Sequence, residues 1–209
     1  MTFQQMLSDL RSRIGDVAPD KYTDIELKSW LNLGQQDVAC RLDNISSVWF
    51  GKTGDISLVS GTQDYDLPAD VRKIMRVTIN NVQAQAVDVT KLGALETNVN
   101  HTPSAAQPFY HQWGKQISVF PTPTAAGTAK LWYFKRLSDL TADADISEIP
   151  VEYHALIVLY AQILAMQKVD KPTAALEQSY ERAFQIIRQG WTDALSIKMA
   201  GEKAVTLTQ

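Results

Sequence analysis

The chain has 209 residues, 45% hydrophobic and 21% charged, with a formal net charge of −3, enough for an ordinary core in one large or two small domains. So mildly acidic a chain lacks the overall basic footprint of proteins that bind nucleic acid by counterion release, and contact with DNA is expected to be loose or repulsive. A single cysteine, Cys40, excludes a disulfide framework and a thiolate metal cluster and suits a reducing compartment.

The first residues show no basic stretch followed by an apolar one, so a signal peptide is not expected and the product should be cytosolic. Phe3, Met6, Leu7, Leu10 and Ile14 recur at helical spacing, with Thr2 and Gln5 in capping-box positions, and Gly15 ends the run. Thr23 and Glu26 form a second capping box. The helix that follows has the stripe Leu27, Trp30, Leu31, Gly34, Val38 and Leu42, with Lys28, Gln35, Gln36 and Arg41 expected to face water. Gly34 within the stripe costs about 1 kcal/mol of helix propensity and points to a close helix crossing. The two helices should pair.

From Ser46 the composition turns to short β-rich runs punctuated by turn residues. Strands are expected around 56–59, 61–68, 73–79, 109–113, 116–120 and 128–135, with 82–89 continuing the first meander, roughly six in all. Asn80-Asn81 and Gly114-Lys115 have hairpin-turn chemistry. Segment 90–99 reads as a short helix or ordered loop. Pro121 to Gly127 makes a turn that no central strand would tolerate.

Segment 138–149 is a polar, acidic connection. Segment 150–168 is apolar on nearly every side: Tyr153, Leu156, Ile157, Tyr160, Ile163 and Leu164 form a stripe, and Val158, Leu159 and Met166 fall outside it. Such a helix, roughly 28 Å long, must be covered by others. Glu152, His154, Gln162 and Gln167 interrupt it well short of the ~20 apolar residues a bilayer needs. Pro150 suits its first turn. A last helix carries Leu176, Tyr180, Ala183, Phe184, Ile187, Trp191 and Leu195, running antiparallel to the one before it. The expected bundle core is Trp30, Leu31, Tyr153, Ile157, Tyr160, Ile163, Phe184, Ile187 and Trp191.

These elements predict an α+β fold: a helix bundle built from the N- and C-terminal helices with an inserted antiparallel β-sheet or small β-sandwich. The expected division is a helix pair in 1–45, a β subdomain in 46–137, long helices in 138–198 and a mobile tail in 199–209.

Little in the sequence points to catalysis. His101, His111 and His154 lack a metal-ligand spacing, and His154 on the core helix reads as a hydrogen-bonded structural histidine. Nucleotide loops, nucleophile elbows and zinc-protease motifs are missing. Asp143, Asp145 and Glu148 are acidic but do not complete a calcium loop. They read as a solvated loop ahead of a helix N-terminus, where the dipole favours acids. Asp64 and Asp66 share a strand face but fit a strand end better than a glycosidase pair. No enzyme activity, cofactor or metal is expected. Trp113, Trp132, Tyr110, Tyr133 and Phe134 make the β region aromatic, and strand alternation puts Trp132 and Phe134 on the face opposite Leu131 and Tyr133. Without basic residues interleaved along the strand, base stacking is not expected.

The order of several short stretches resembles the adaptor proteins of tailed-phage necks. It runs from Tyr22-Thr23-Asp24-Ile25-Glu26-Leu27 through Gly61-Thr62-Gln63-Asp64-Tyr65-Asp66-Leu67-Pro68 and Val71-Arg72-Lys73-Ile74. The later pieces are Ile117-Ser118-Val119-Phe120-Pro121-Thr122-Pro123, then Leu131-Trp132-Tyr133-Phe134-Lys135-Arg136, then Ile149-Pro150-Val151-Glu152-Tyr153-His154. The likeness covers roughly residues 3–190. It implies a structural virion protein: a head-to-tail adaptor forming a ring, usually of about twelve copies, beneath the portal. Such a ring extends the DNA channel and docks the tail or the next neck protein. Implied partners are the portal protein, the next neck or tail protein and further copies of the chain. DNA passes without specific binding, no membrane is involved, and the protein is made in the host cytoplasm and resides in the neck. On this resemblance Met199, Lys203, Val205 and Leu207 would dock the portal, and Trp113, Trp132 and Phe134 would meet a neighbouring subunit or tail component. The alternative is a carbohydrate-binding or other tail or receptor module, which requires Trp113 and Trp132 exposed and coplanar.

Overall fold

A computed structural model describes residues 1–16, 21–46, 49–88, 90 and 104–206, with side chains as far as 192. The expected helix or loop at 90–99, apart from Thr90, and His101 lie outside the described residues. Contacts divide the chain into a helical unit, Met1–Trp49 with Leu137–Gln209, and a sheet unit, Phe50–Arg136.

In the helical unit, both capping boxes form. Thr2 Oγ1 accepts from the Gln5 N–H while Gln5 Oε1 accepts from the Thr2 N–H, opening α1 (Phe3–Ile14), which ends at Gly15 with φ 70. Thr23 and Glu26 repeat the exchange at the start of α2 (Asp24–Ile45). Lys168 reaches Glu26 at 2.6 Å, and that ammonium, helped by Thr23, holds the Glu26 carboxyl down at about 2.

The central apolar helix α3 spans His154–Lys168. Its α-helical geometry starts later than the sequence suggests: Pro150 is extended at ψ 140, and a 3-10 turn, Val151–Tyr153, intervenes. The deepest α3 side chains are His154, Ile157, Val158, Ala161, Ile163 and Ala165. They meet Leu27, Leu31, Val38 and Leu42 of α2 and Met6 and Leu10 of α1, all at 0% exposure. Gly34 marks the α2–α3 crossing. A Cβ there would lie 2.7 Å from the backbone oxygen of Ile157, so only glycine lets the helices approach this closely. A turn through Asp170, at φ 52, leads into α4 (Ala174–Thr206), whose 33 residues extend roughly 50 Å. Tyr180 and Phe184 are its buried anchors. The helix continues past residue 198, where the sequence suggests a mobile tail begins.

In the sheet unit, seven strands are ordered β1-β7-β3-β4-β5-β6-β2. They are β1 (Gly51–Leu58), β2 (Asp64–Asp66), β3 (Val71–Ile79), β4 (Val82–Ala86), β5 (Phe109–Trp113), β6 (Gln116–Phe120) and β7 (Gly127–Lys135). Asn80 and Asn81, at φ 48 and 68, form the two-residue β3–β4 turn, and Gly114 at φ 58 forms the β5–β6 turn. All pairs are antiparallel except β4–β5. The sheet curls around Leu58, Tyr65, Val77, Ile79, Tyr110, Ile117, Val119, Leu131 and Tyr133. At its edges the Tyr65 hydroxyl of β2 shares its one proton between the carbonyl oxygens of Thr62, at 2.8 Å, and Val59, at 3.1 Å, and accepts the Val59 N–H, tying β2 to the chain that leaves β1.

The chain is α+β, but it is not a helix bundle carrying a small inserted sheet or sandwich. Seven strands close into a nearly complete barrel with its own core, alongside four helices among the described residues. The edge strands β1 and β2 do not pair with each other among the described residues, so the curled sheet stops short of a closed barrel. Among the described residues no helix is long and apolar enough to cross a membrane.

Candidate functional site

Two surfaces stand out, one on each unit. The first is the loop 137–149 with the following turn. Residues 137–152 hold five acidic side chains and no basic one. Lys28, Gln35 and Gln36 of α2, which the sequence assigns to water, instead hold this loop together with Asn32. Asn32 bonds Leu140 in both directions, its Nδ2 donating to the carbonyl at 3.0 Å and its Oδ1 accepting the N–H at 2.8 Å. Gln35, only 1% exposed, donates to the Ser138 carbonyl, Gln36 donates to that of Leu137, and Lys28 pairs with Asp143. Arg41, also assigned to water, instead pairs with Asp37 and Glu181 and lies over the Tyr180 and Phe184 rings. The N-terminus of α1 holds the other side of the loop: the Phe3 and Gln4 N–H groups donate to the Asp145 and Asp143 carbonyls. Asp145 accepts the Thr141 and Ala142 N–H groups, which lower its carboxyl from the usual range. A loop so fixed holds Ile146 and Val151 in solvent, 65% and 67% exposed.

Within α3, His154 is 1% exposed. Its Nδ1 faces the Met1 amine at 3.0 Å and its Nε2 lies 2.7 Å from the Ile149 carbonyl. An ammonium can only donate, so Nδ1 accepts and Nε2–H donates to Ile149. Burial pushes the imidazole below its ordinary range, and the nearby ammonium pushes the same way.

The second surface is the outer face of β3 and β7. Arg76 stands opposite Trp132 with its guanidinium 5.0 Å from the ring centroid, and Lys130 lies 5.7 Å from the same ring. Arg72 lies 5.7 Å from the Phe134 ring, and Lys73 is opposite Phe134 in register. Lys130 of β7 itself and Arg72, Lys73 and Arg76 of its neighbour β3 therefore supply the basic residues that the sequence does not show beside these aromatics. Register shifts between Val71 and Lys73 and between Ile74 and Arg76 put the β3 residues there. Phe134 is buried, Trp132 half-buried, and Lys73, Arg76 and Lys130 are exposed. On the inner side, the Tyr133 hydroxyl donates to Asp70, which also pairs with Lys52 at 2.7 Å. Lys52 is the first cause of the lowered Asp70 pKa.

The remaining sequence candidates scatter. Trp113, 66% exposed, lies at the β5–β6 turn beside His111, whose Nδ1 meets the Val87 carbonyl. Asp64 and Asp66 accept from Ser118 and Gln116 across the β2–β6 pair and form no catalytic couple. Of the expected bundle core, Leu31, Ile157, Ile163 and Phe184 are buried. Trp30, Tyr153, Tyr160, Ile187 and Trp191 are half-buried, with Trp30 edge-on to Tyr22 and both Tyr153 and Trp191 edge-on to Trp49. Met199, Lys203 and Val205 fall on α4, with side chains outside the description, and Leu207 lies outside the described residues. An apolar cavity of about 210 Å³ among Leu58, Ile79, Pro108, Pro121 and Pro123 has no titratable lining residue among the described residues. Among those residues no group of three or more His, Cys, Asp or Glu could hold a metal ion.

Both surfaces carry exposed groups suited to contact with another protein. A family model for the SU10 adaptor protein matches residues 1–202. The chain belongs to the SU10 adaptor protein family. As a member of that family it is a structural adaptor of the phage head–tail junction and a component of the virion. No curated protein matches the chain.

Proposed function

We propose that this SU10 adaptor family member assembles as a closed ring, of about twelve copies, beneath the portal. The ring extends the DNA channel and receives the tail or the next neck protein. The observation that carries the reading is the family match over residues 1–202. Two structural features support it. The helix α4 is 33 residues long, and among its described side chains Tyr180 and Phe184 are the buried ones, so it offers a long element for contacts. Rigidly held surface groups such as Ile146 and Val151 suit repeated contacts, since a fixed loop loses little entropy on binding. In this reading Met199, Lys203, Val205 and Leu207 face the portal, and Trp113 and Trp132 belong to subunit or tail contacts; Phe134, expected with them, is buried beside the Arg72 guanidinium. DNA passes without sequence-specific contacts.

The glycan-binding alternative is weaker on geometry. Trp113 is open, but cations already occupy positions over the Trp132 ring that a sugar would need.

Native mass spectrometry of the chain mixed with the portal ring from the same genome tests the proposal. A complex whose stoichiometry matches the portal's symmetry, lost on deletion of residues 199–209, is the expected result. A chain that never joins the portal ring overturns it.

A further inference from the structure

Residues 50–136 carry nine basic and six acidic side chains, a formal charge of +3, whereas the rest of the chain carries eleven and seventeen, or −6. The near-neutral total hides a polarised molecule. In the helical unit Arg11, Arg13, Lys28, Arg41 and Lys168 are all ion-paired. On the outer sheet face, Lys73, Arg76 and Lys130 make no ion pair among the described residues and stand beside the half-exposed Trp132, with Met75 of β3 39% exposed. The loop described above is the converse: Asp139, Asp145 and Glu152 with the exposed Ile146 and Val151, and no base between residues 137 and 152.

We infer that these two surfaces are the two halves of one heterologous contact, the acidic-apolar loop of one copy seating on the basic-aromatic β3–β7 face of the next. The inference rests on the ring reading above and gives it a residue-level basis. A head-to-tail ring needs two different, mutually complementary patches on each chain, and a contact between identical patches would give only a dimer. Here one patch carries Lys73, Arg76 and Lys130 around an aromatic ring, with the single carboxylate of Asp55 opposite Lys130 in register, and the other carries anions around aliphatic side chains. Opposite charges set the register and speed encounter, while Ile146 and Val151 against Trp132 and Met75 supply apolar burial. The occupant is a second copy rather than DNA: each patch includes apolar side chains that a phosphate backbone would leave unpartnered, and the chain itself supplies the complementary surface.

The test uses the full-length chain in sedimentation velocity across a concentration series at about 0.05 and about 0.5 M salt, spanning the change in screening length. Wild type is expected to self-associate at low salt and weaken at high salt. Arg76→Glu with Lys130→Glu, and separately Asp139→Lys with Glu152→Lys, should each weaken association at least about tenfold. All four sites are exposed, and unchanged circular dichroism should accompany the loss. Combining all four substitutions restores the charge match and should recover most of the association. A wild type that stays monomeric, variants that assemble like wild type, or a fourfold variant no better than either pair overturns the inference. So does duplex-DNA anisotropy showing that Arg76→Glu with Lys130→Glu abolishes DNA binding but leaves self-association intact. Portal binding is scored separately. Variants that join the portal ring as wild type does would sink this contact and leave the adaptor reading standing; charge-dependent association without portal binding would do the reverse.

Discussion

The helical and sheet units solve the same problem, burying a core in a chain of ordinary composition, in opposite ways. In the helical unit the apolar stripes of α1, α2 and α3 meet, and most of its described cations are consumed in ion pairs or in fixing a loop. In the sheet unit a barrel closes on an interior of aromatic and branched side chains, and its outer face keeps exposed cations at Lys73, Arg76 and Lys130, with Asp55 opposite Lys130 in register. The ion pairs of the helical unit serve internal order, whereas the outer β3–β7 face of the sheet unit keeps cations exposed for contact. Net charge, a sum over both, reports neither.

The strongest way to break this comparison is to empty each core. Ile157→Ala, at the centre of α3, and Leu131→Ala, inside the barrel, remove side chains at 0% exposure and should each cost about 2–5 kcal/mol. Hydrogen-exchange mass spectrometry would report the loss of protection in peptides of the altered unit first. Equal loss in both units from either substitution would mean that they do not behave as separate cores.

Gly34→Ala should destabilise the helical unit by about 1–3 kcal/mol, because the new Cβ meets a backbone oxygen that cannot rotate away. A Tm equal to that of wild type would show that the α2–α3 crossing is looser than the geometry requires. Tyr65→Phe keeps the ring but deletes a hydroxyl that makes three backbone hydrogen bonds at the seam of the barrel, and should cost about 1–3 kcal/mol, read as a shift in urea midpoint.

A smaller effect is a pH dependence confined to the helical unit. The His154 pKa is lowered on folding, so the unfolded chain binds more protons around and below the ordinary value of 6.5. Stability therefore falls as pH drops through that value and is recovered above it. His154→Gln should flatten the profile of urea midpoint between about pH 5 and 7.5, a window that brackets the ordinary histidine range. Smallest is Gly190→Ala on α4, where a Cβ meets nothing within 4 Å and helix propensity alone should add up to about 1 kcal/mol. Helical circular dichroism would rise slightly if α4 is continuous there.

Local signals in the sequence were reliable because their partners lie within a few residues. Thr2 with Gln5, Thr23 with Glu26, Asn80-Asn81 and Gly114-Lys115 each specify a cap or turn through chemistry the chain carries on the spot. Helical periodicity likewise marked Leu31, Ile157 and Phe184 as inward-facing, and Gly34 as a crossing point. The order of such pieces was enough to suggest the adaptor family. The barrel and both surfaces were not legible in this way. Strand alternation cannot say which strand lies beside β7, and the two register shifts in β3 that bring Arg76 against Trp132 leave no mark in a linear pattern. Nor does a helical wheel show that Asn32, Gln35 and Gln36 face a loop rather than water. Sequence alone determined where helices and turns begin, because those choices are decided by neighbours along the chain. Tertiary structure decided the closure of the sheet, the fixing of the acidic loop and the charge of each face, because those depend on residues that only folding brings together.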